Sequence, residues 1–151
     1  MTVTINGTTG ISTPGVSSSD NIVTTGTGDI TSVADMKAAS YHETKADLTG
    51  TAVDIDCATG NVFLLTTSGA TTFNTPTNVP ASGTAYSFTL QITAGGSHTV
   101  DYSGLGTNVK FAGGAAPTQP SSGETDVLVF YTTDGGTNWY GARAIDAASN
   151  I

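Results

Sequence analysis

The sequence predicts an all-β protein: an antiparallel β-sandwich, jelly-roll-like, with an extended N-terminal arm and at most one short helix. Three observations predict it. Charged residues make up 11% of the 151, against about 25% in typical soluble domains, and Thr, Ser and Gly fill their place. Thr is β-branched and suits a strand's solvent face, while the 19 Gly, with Asn and Asp, suit turns. Short apolar stretches recur about every 8–15 residues, joined by turn residues rather than by helical patterns. A mass of 15.1 kDa accommodates one domain and an arm but not a propeller of several blades, and no internal repeat is visible.

Residues 1–48 form the arm and a bridging segment; residues 49–151 form the sandwich. The first 32 residues carry small apolar islands, Val3 and Ile5, Ile11, Ile22 and Val23, and Ile30, too few to offset the entropy of ordering a chain alone. Two readings stand: a free tail, or an arm that attaches the protein to an assembly by adding short strands to a neighbour. "TSVADMKAASYHETKADL", residues 31–48, is the one helix-compatible stretch, with Ser32 placed to cap it, Val33 and Met36 on one face, and Gly50 placed to end it.

Beyond residue 50 the patterns turn regular. "TAVDIDC" alternates, with Val53, Ile55 and Cys57 on one face and Asp54 and Asp56 on the other. "GNVFLLTT" is a continuous apolar run, as in a strand covered on both sides. In "TAYSFTLQIT", Tyr86, Phe88, Leu90 and Ile92 point inward; the turn Ala94-Gly95-Gly96-Ser97 then leads to "HTVDYS", so these two runs are expected to form a hairpin. After a Gly/Pro-rich loop near residues 112–123, "TDVLVFYTT" and "NWYGARA" form a second hairpin.

Charge removes whole classes of function. The net charge is −8, and Lys37, Lys45, Lys110 and Arg143 are the only strong cations. A phosphate backbone requires a basic stripe, so nucleic acid is excluded as a partner. No apolar run approaches the ~18 residues of a membrane span, and the opening residues lack the basic and apolar regions of a signal peptide. With Cys57 the lone cysteine, folding in a reducing cytosol is expected.

The candidate sites are few. "YTTDGGTNWYG" resembles the Asp-box of sialidases and related β-propellers through Thr132, Asp134, Gly136 and Trp139. In such boxes the Asp accepts backbone N–H groups and the aromatic packs beneath, which makes a structural turn. A sialidase also clamps its substrate carboxylate with several arginines, and Arg143 is the only one here. Glycoside hydrolysis by other means needs two carboxyl groups about 5–9.5 Å apart, one with a raised pKa. Glu43, Glu124 and the pair Asp54/Asp56 are the carboxylates weighed for it. Asp54 and Asp56 are also the candidate Ca²⁺ ligands, although no D-x-[DN]-x-[DN]-G loop is present. His42 and His98 are isolated, and Ser97 and His98, adjacent on a strand, face opposite ways. Tyr86, Tyr102, Tyr131, Trp139 and Tyr140 offer either a sugar-stacking platform or core and subunit contacts. No catalytic, metal or cofactor site is expected.

The stretch from "TAVDIDCATGNVFLLTT" through "SSGETDVLVFYTTDGGTNWYGA", with the opening "MTVTINGTTGISTP", resembles a module of tail-fibre-like and other surface-exposed structural proteins of tailed bacteriophages, especially phages of aquatic bacteria. The resemblance implies a virion protein assembled in the host cytoplasm, without catalysis, often a homotrimer bound to other capsid or tail proteins. No long stalk separates arm from sandwich, so a capsid decoration or cement protein fits as well as a short fibre. A second expectation of another class is an adhesin reading host surface glycans.

Overall fold

The structure, a computed structural model, describes residues 39–150. The chain divides into Met1–Ser40 and Tyr41–Ile151. Val3, Ile5, Ile11, Ile22 and Val23, and residues 31–38 of the helix-compatible stretch, lie outside the described residues.

Among the described residues the fold is β-rich, with nine strands and two short 3-10 turns, Ser103–Leu105 and Ala112–Gly114. In chain order the strands are β1 Lys45–Leu48, β2 Ala52–Val53, β3 Val62–Thr66, β4 Thr71–Phe73, β5 Tyr86–Thr93, β6 Val100–Asp101, β7 Asn108–Phe111, β8 Thr125–Thr132 and β9 Asn138–Ala148. They make a six-stranded sheet in the order β1-β3-β5-β8-β9-β7 and a three-stranded sheet in the order β2-β4-β6.

The order of sheets along the chain determines the architecture. From β1 to β6 each strand lies in the sheet opposite to the one before it. Within each sheet, successive visits pair in parallel: β1 with β3, β3 with β5, β2 with β4 and β4 with β6. A parallel pair cannot be closed by a tight hairpin and needs a crossover; here the crossover is a strand of the other sheet. Residues 45–101 therefore wind as a coil, each turn stacked on the previous one, as in quasi-one-dimensional β folds. Side chains stack with the register. Ala46, Phe63 and Leu90 align across three strands, as do Leu48, Leu65 and Ile92, while Val53 aligns with Phe73 in the smaller sheet. Between the strands the coil is held by Asn74 N–H to the Val53 carbonyl at 2.9 Å, Thr77 N–H to Ile55 at 2.9 Å and Cys57 N–H to Thr77 at 3.0 Å.

The rest of the larger sheet is antiparallel. β8 pairs with β5 from Tyr86↔Thr132 to Thr93↔Thr125, and β9 folds back on β8, with a bulge near Val127. β7 returns parallel to β9 at the far edge. One core joins coil and hairpin. Phe88, 2% exposed, touches Phe63, Phe130 and Trp139, with ring centroids 5.5, 5.2 and 5.1 Å away. Burying each such side chain contributes about 1.5–3 kcal/mol.

Several expectations are corrected. The pairing is mixed, not antiparallel throughout. β5 and the run after Gly95-Gly96 do not form a hairpin: β6 lies in the other sheet beside β4. The chain turns a corner because Gly95 packs against the Thr67 carbonyl and accepts no side chain there, while its N–H reaches Thr67 Oγ1 at 3.1 Å. Residues 39–48 are not helical. Ala46 and Leu48 alternate with period two and add to β3 as an edge strand, and Gly50, with φ +87°, turns the chain toward the smaller sheet instead of ending a helix. Residues 45–48 thus belong with the strands rather than with a bridging segment. The apolar run of β3 is buried on one face only, at Phe63 and Leu65, with Val62 and Leu64 half-buried on the other.

Candidate functional site

The turn of the β8–β9 hairpin gathers the most hydrogen bonds among the predicted residues. Thr132, fully buried at the end of β8, donates its hydroxyl to Asp134 Oδ1 at 3.0 Å. Thr132 Oγ1 also accepts the Asp134 and Gly136 N–H groups at 3.4 and 3.2 Å. Asp134 in turn accepts the Asn138 N–H at 2.9 Å and the Asn138 side-chain amide at 2.6 Å. Gly135 and Gly136 adopt φ of +68° and +83°, a region that costs a residue with a Cβ roughly 1–2 kcal/mol. Trp139 is fully buried below, edge-on to Phe88 and Tyr86, and its indole N–H has no partner among the described residues. The Asn138 backbone N–H, then its side-chain amide, hold the Asp134 carboxyl below the usual aspartate range. The geometry closes a hairpin.

The other carboxylates weighed for chemistry are similarly occupied. Asp54 accepts the Asn74 amide at 2.8 Å, and Asp56 accepts the Asn78 amide at 2.7 Å and the Ala58 N–H at 2.9 Å. Each Asp–Asn contact joins one turn of the coil to the next. Hydrogen bonds from Asn78 and then Ala58 lower the Asp56 pKa, whereas a general acid near neutral pH needs a raised one. A cation site would turn these oxygens toward a shared centre; here they face amide donors. Glu124 Oε2 accepts the Ser121 N–H at 2.8 Å inside a turn, and Glu43 is exposed. His98 Nδ1 lies 3.1 Å from Thr67 Oγ1 at the coil corner, far in role from any ligand set. Among the described residues no group of three or more His, Cys, Asp or Glu comes together. Cys57 is buried, and that burial raises its thiol pKa.

One ionic cluster escapes sequence reasoning. Asp126, 2% exposed on the inward side of β8, accepts Arg143 Nη1 at 3.3 Å and the Ala147 N–H at 2.8 Å. Arg143 also reaches Asp146 at 2.8 Å and the Thr118 carbonyl at 3.1 Å. The one arginine is thus engaged with its own chain. The signal was present: in "TDVLVFY" the alternation that sends Leu128 and Phe130 inward sends Asp126 inward too, and a buried carboxylate requires a partner.

The five aromatics proposed as a platform separate. Tyr102 and Trp139 are core and Tyr86 is half-buried, whereas Tyr131 and Tyr140 are 43% and 50% exposed and sit opposite each other on β8 and β9. Lys110 Nζ lies 5.1 Å from the Tyr140 ring. Grooves of about 420, 380 and 310 Å³ lie elsewhere, and neither tyrosine lines any of them. The first, between β1, β3 and β5, contains one carboxylate, Asp47, bound to Lys45 at 2.6 Å. No protein-family model matches the chain, and no curated protein or solved structure matches it.

Proposed function

We propose that this chain is a non-enzymatic structural protein of a bacteriophage particle, attached through its N-terminal segment and displaying the β domain. The observation that carries the reading is the use made of the candidate acids: Asp54, Asp56, Glu124 and Asp134 each accept an amide N–H within a turn or between coil turns. Carboxylates held this way stabilise backbone geometry and are poorly set to donate a proton to a leaving group. The Thr- and Gly-rich strand faces, with few ion pairs, suit a surface whose stability depends little on salt.

The test is incorporation. Mass spectrometry of purified particles from the producing cells should find the full chain, and a version lacking residues 1–32 should fold yet be absent from particles. Incorporation of the shortened chain would remove the attachment role of the arm; absence of the full chain from particles would remove the virion role.

A further inference from the structure

The structure assigns a covalent role to Asp134–Gly135: it is the link at which this chain rearranges to isoaspartate, and the hydrogen bonds of its turn hold that reaction off while the β8–β9 hairpin is closed. The inference goes beyond the structural role proposed above and does not depend on it. Sequence places the link. Every other aspartate precedes a residue with a side chain, whereas Asp134 precedes Gly135, and without a Cβ nothing shields the Gly135 nitrogen. The reaction needs only water. The Gly135 nitrogen attacks Cγ of the protonated Asp134 carboxyl, an N–Cγ bond forms, and the carboxyl hydroxyl leaves as water with the amide proton. Water then opens the cyclic imide at either carbonyl. Opening at Cγ restores aspartate. Opening at the main-chain carbonyl leaves the backbone running through Cβ and Cγ, with the α-carboxylate as the side group.

The folded turn blocks the first step. Asp134 Oδ1 accepts the Thr132 hydroxyl at 3.0 Å and the Asn138 backbone N–H at 2.9 Å, while Oδ2 accepts the Asn138 side-chain amide at 2.6 Å. Attack requires the carboxyl to rotate until Cγ presents its face to the Gly135 nitrogen, and that rotation gives up these bonds. Led by the Asn138 N–H, the same donors favour the ionised carboxyl, which lacks the hydroxyl that must leave. The preceding peptide is fixed as well: the Thr133 carbonyl accepts the Gly83 N–H at 3.0 Å, and Pro80 and Ser82 pass beside Gly135. Burial is not the guard, because Gly135 itself is exposed. Reactivity is therefore coupled to opening of the hairpin end, a local event that requires less free energy than global unfolding. Once isoaspartate forms, the carboxylate no longer stands opposite Asn138 and the turn cannot close as before, so an opening that reacts is irreversible.

The test is the isoaspartate content of residue 134 in the full chain, followed by mass spectrometry with electron-transfer fragmentation over weeks in warm neutral buffer, beside a free peptide of residues 130–142. The folded chain should convert roughly tenfold more slowly than the peptide, or slower still, because only its open fraction reacts. Asn138→Ala removes the side-chain donor and keeps the backbone N–H. With wild-type circular dichroism it should convert roughly tenfold faster than the wild type, the weight of one hydrogen bond to a charged group. Asn74→Ala, which removes the corresponding amide contact to Asp54 in the coil, should stay near the wild-type rate. Should Asn138→Ala fail to fold, the wild type in urea below its unfolding transition replaces it, and conversion should rise with urea as the hairpin end opens. Equal rates in folded chain and peptide overturn the inference, as does a folded Asn138→Ala at the wild-type rate, or a wild-type rate indifferent to urea. A peptide that never converts overturns the reactive link itself. Equal acceleration by Asn74→Ala and Asn138→Ala assigns conversion to global unfolding and overturns the guard at the turn.

Discussion

The coil of residues 45–101 and the hairpin of residues 125–148 use the same alternation of apolar and polar residues, yet they are assembled by different rules. In the hairpin, the partner of each strand is the next strand, and a five-residue turn with its own chemistry sets the register. In the coil, the partner is always the next strand but one, and nothing local chooses it. Register there comes from stacked side chains, from Asp–Asn contacts between turns and from close passage of backbone at glycines. Local signals suffice for an antiparallel pair, whereas parallel coils are specified only when the whole stack forms.

The coil is most sensitive at Gly104. A Cβ there would run into the Phe73 carbonyl oxygen, which is backbone of the preceding coil turn and cannot swing aside. Gly104→Ala should abolish folding or lower the melting temperature more than any hairpin substitution; a normal melt would show that the coil turns do not pass so closely. Next comes Phe88, where coil and hairpin share a core. Phe88→Ala should cost about 3–5 kcal/mol in urea unfolding, with both regions lost in one transition. Thr132→Val confines the damage to the hairpin, leaving the Gly136 N–H without its acceptor, at a cost of about 1–3 kcal/mol.

The smallest effect is that of acid. Asp134 has a depressed pKa in the folded state, so its stabilisation is complete above the unfolded value, near 3.8, and is lost as pH falls through the folded one. Asp134→Asn should therefore be less stable than wild type at neutral pH, and the gap in melting temperature should close below pH 3.8. A gap that stays constant would mean that the carboxylate's charge is not what the turn uses.

What the sequence made legible follows the same division. Residues whose neighbours in space are neighbours in sequence were readable: Thr132, Asp134 and Gly136 in their turn, the second hairpin, and the inward set Phe88, Leu90 and Ile92. The buried alternation of Val53, Ile55 and Cys57 was readable too, although only Ala52–Val53 is regular strand. Partner choice was not. The steps from Lys45 to Val62 and from Val62 to Thr89 differ in length, so the coil leaves no fixed repeat in the sequence. β4, three residues long, offers no detectable period, and β7 offers only a short one, Val109 and Phe111 inward with Lys110 outward. The Asp–Asn contacts were invisible because Asp54 and Asn74 become neighbours only through the coil.

The strand that lies beside β5 distinguishes the coil from a run of hairpins. Through-hydrogen-bond couplings in labelled protein measure that directly by nuclear magnetic resonance. The coil predicts couplings from the Thr89 amide to the Asn61 carbonyl, 2.8 Å away, and from the Thr71 amide to the Thr99 carbonyl, 2.8 Å away. Couplings between residues 86–93 and residues 98–102 would instead establish a hairpin at Gly95-Gly96 and contradict the coil.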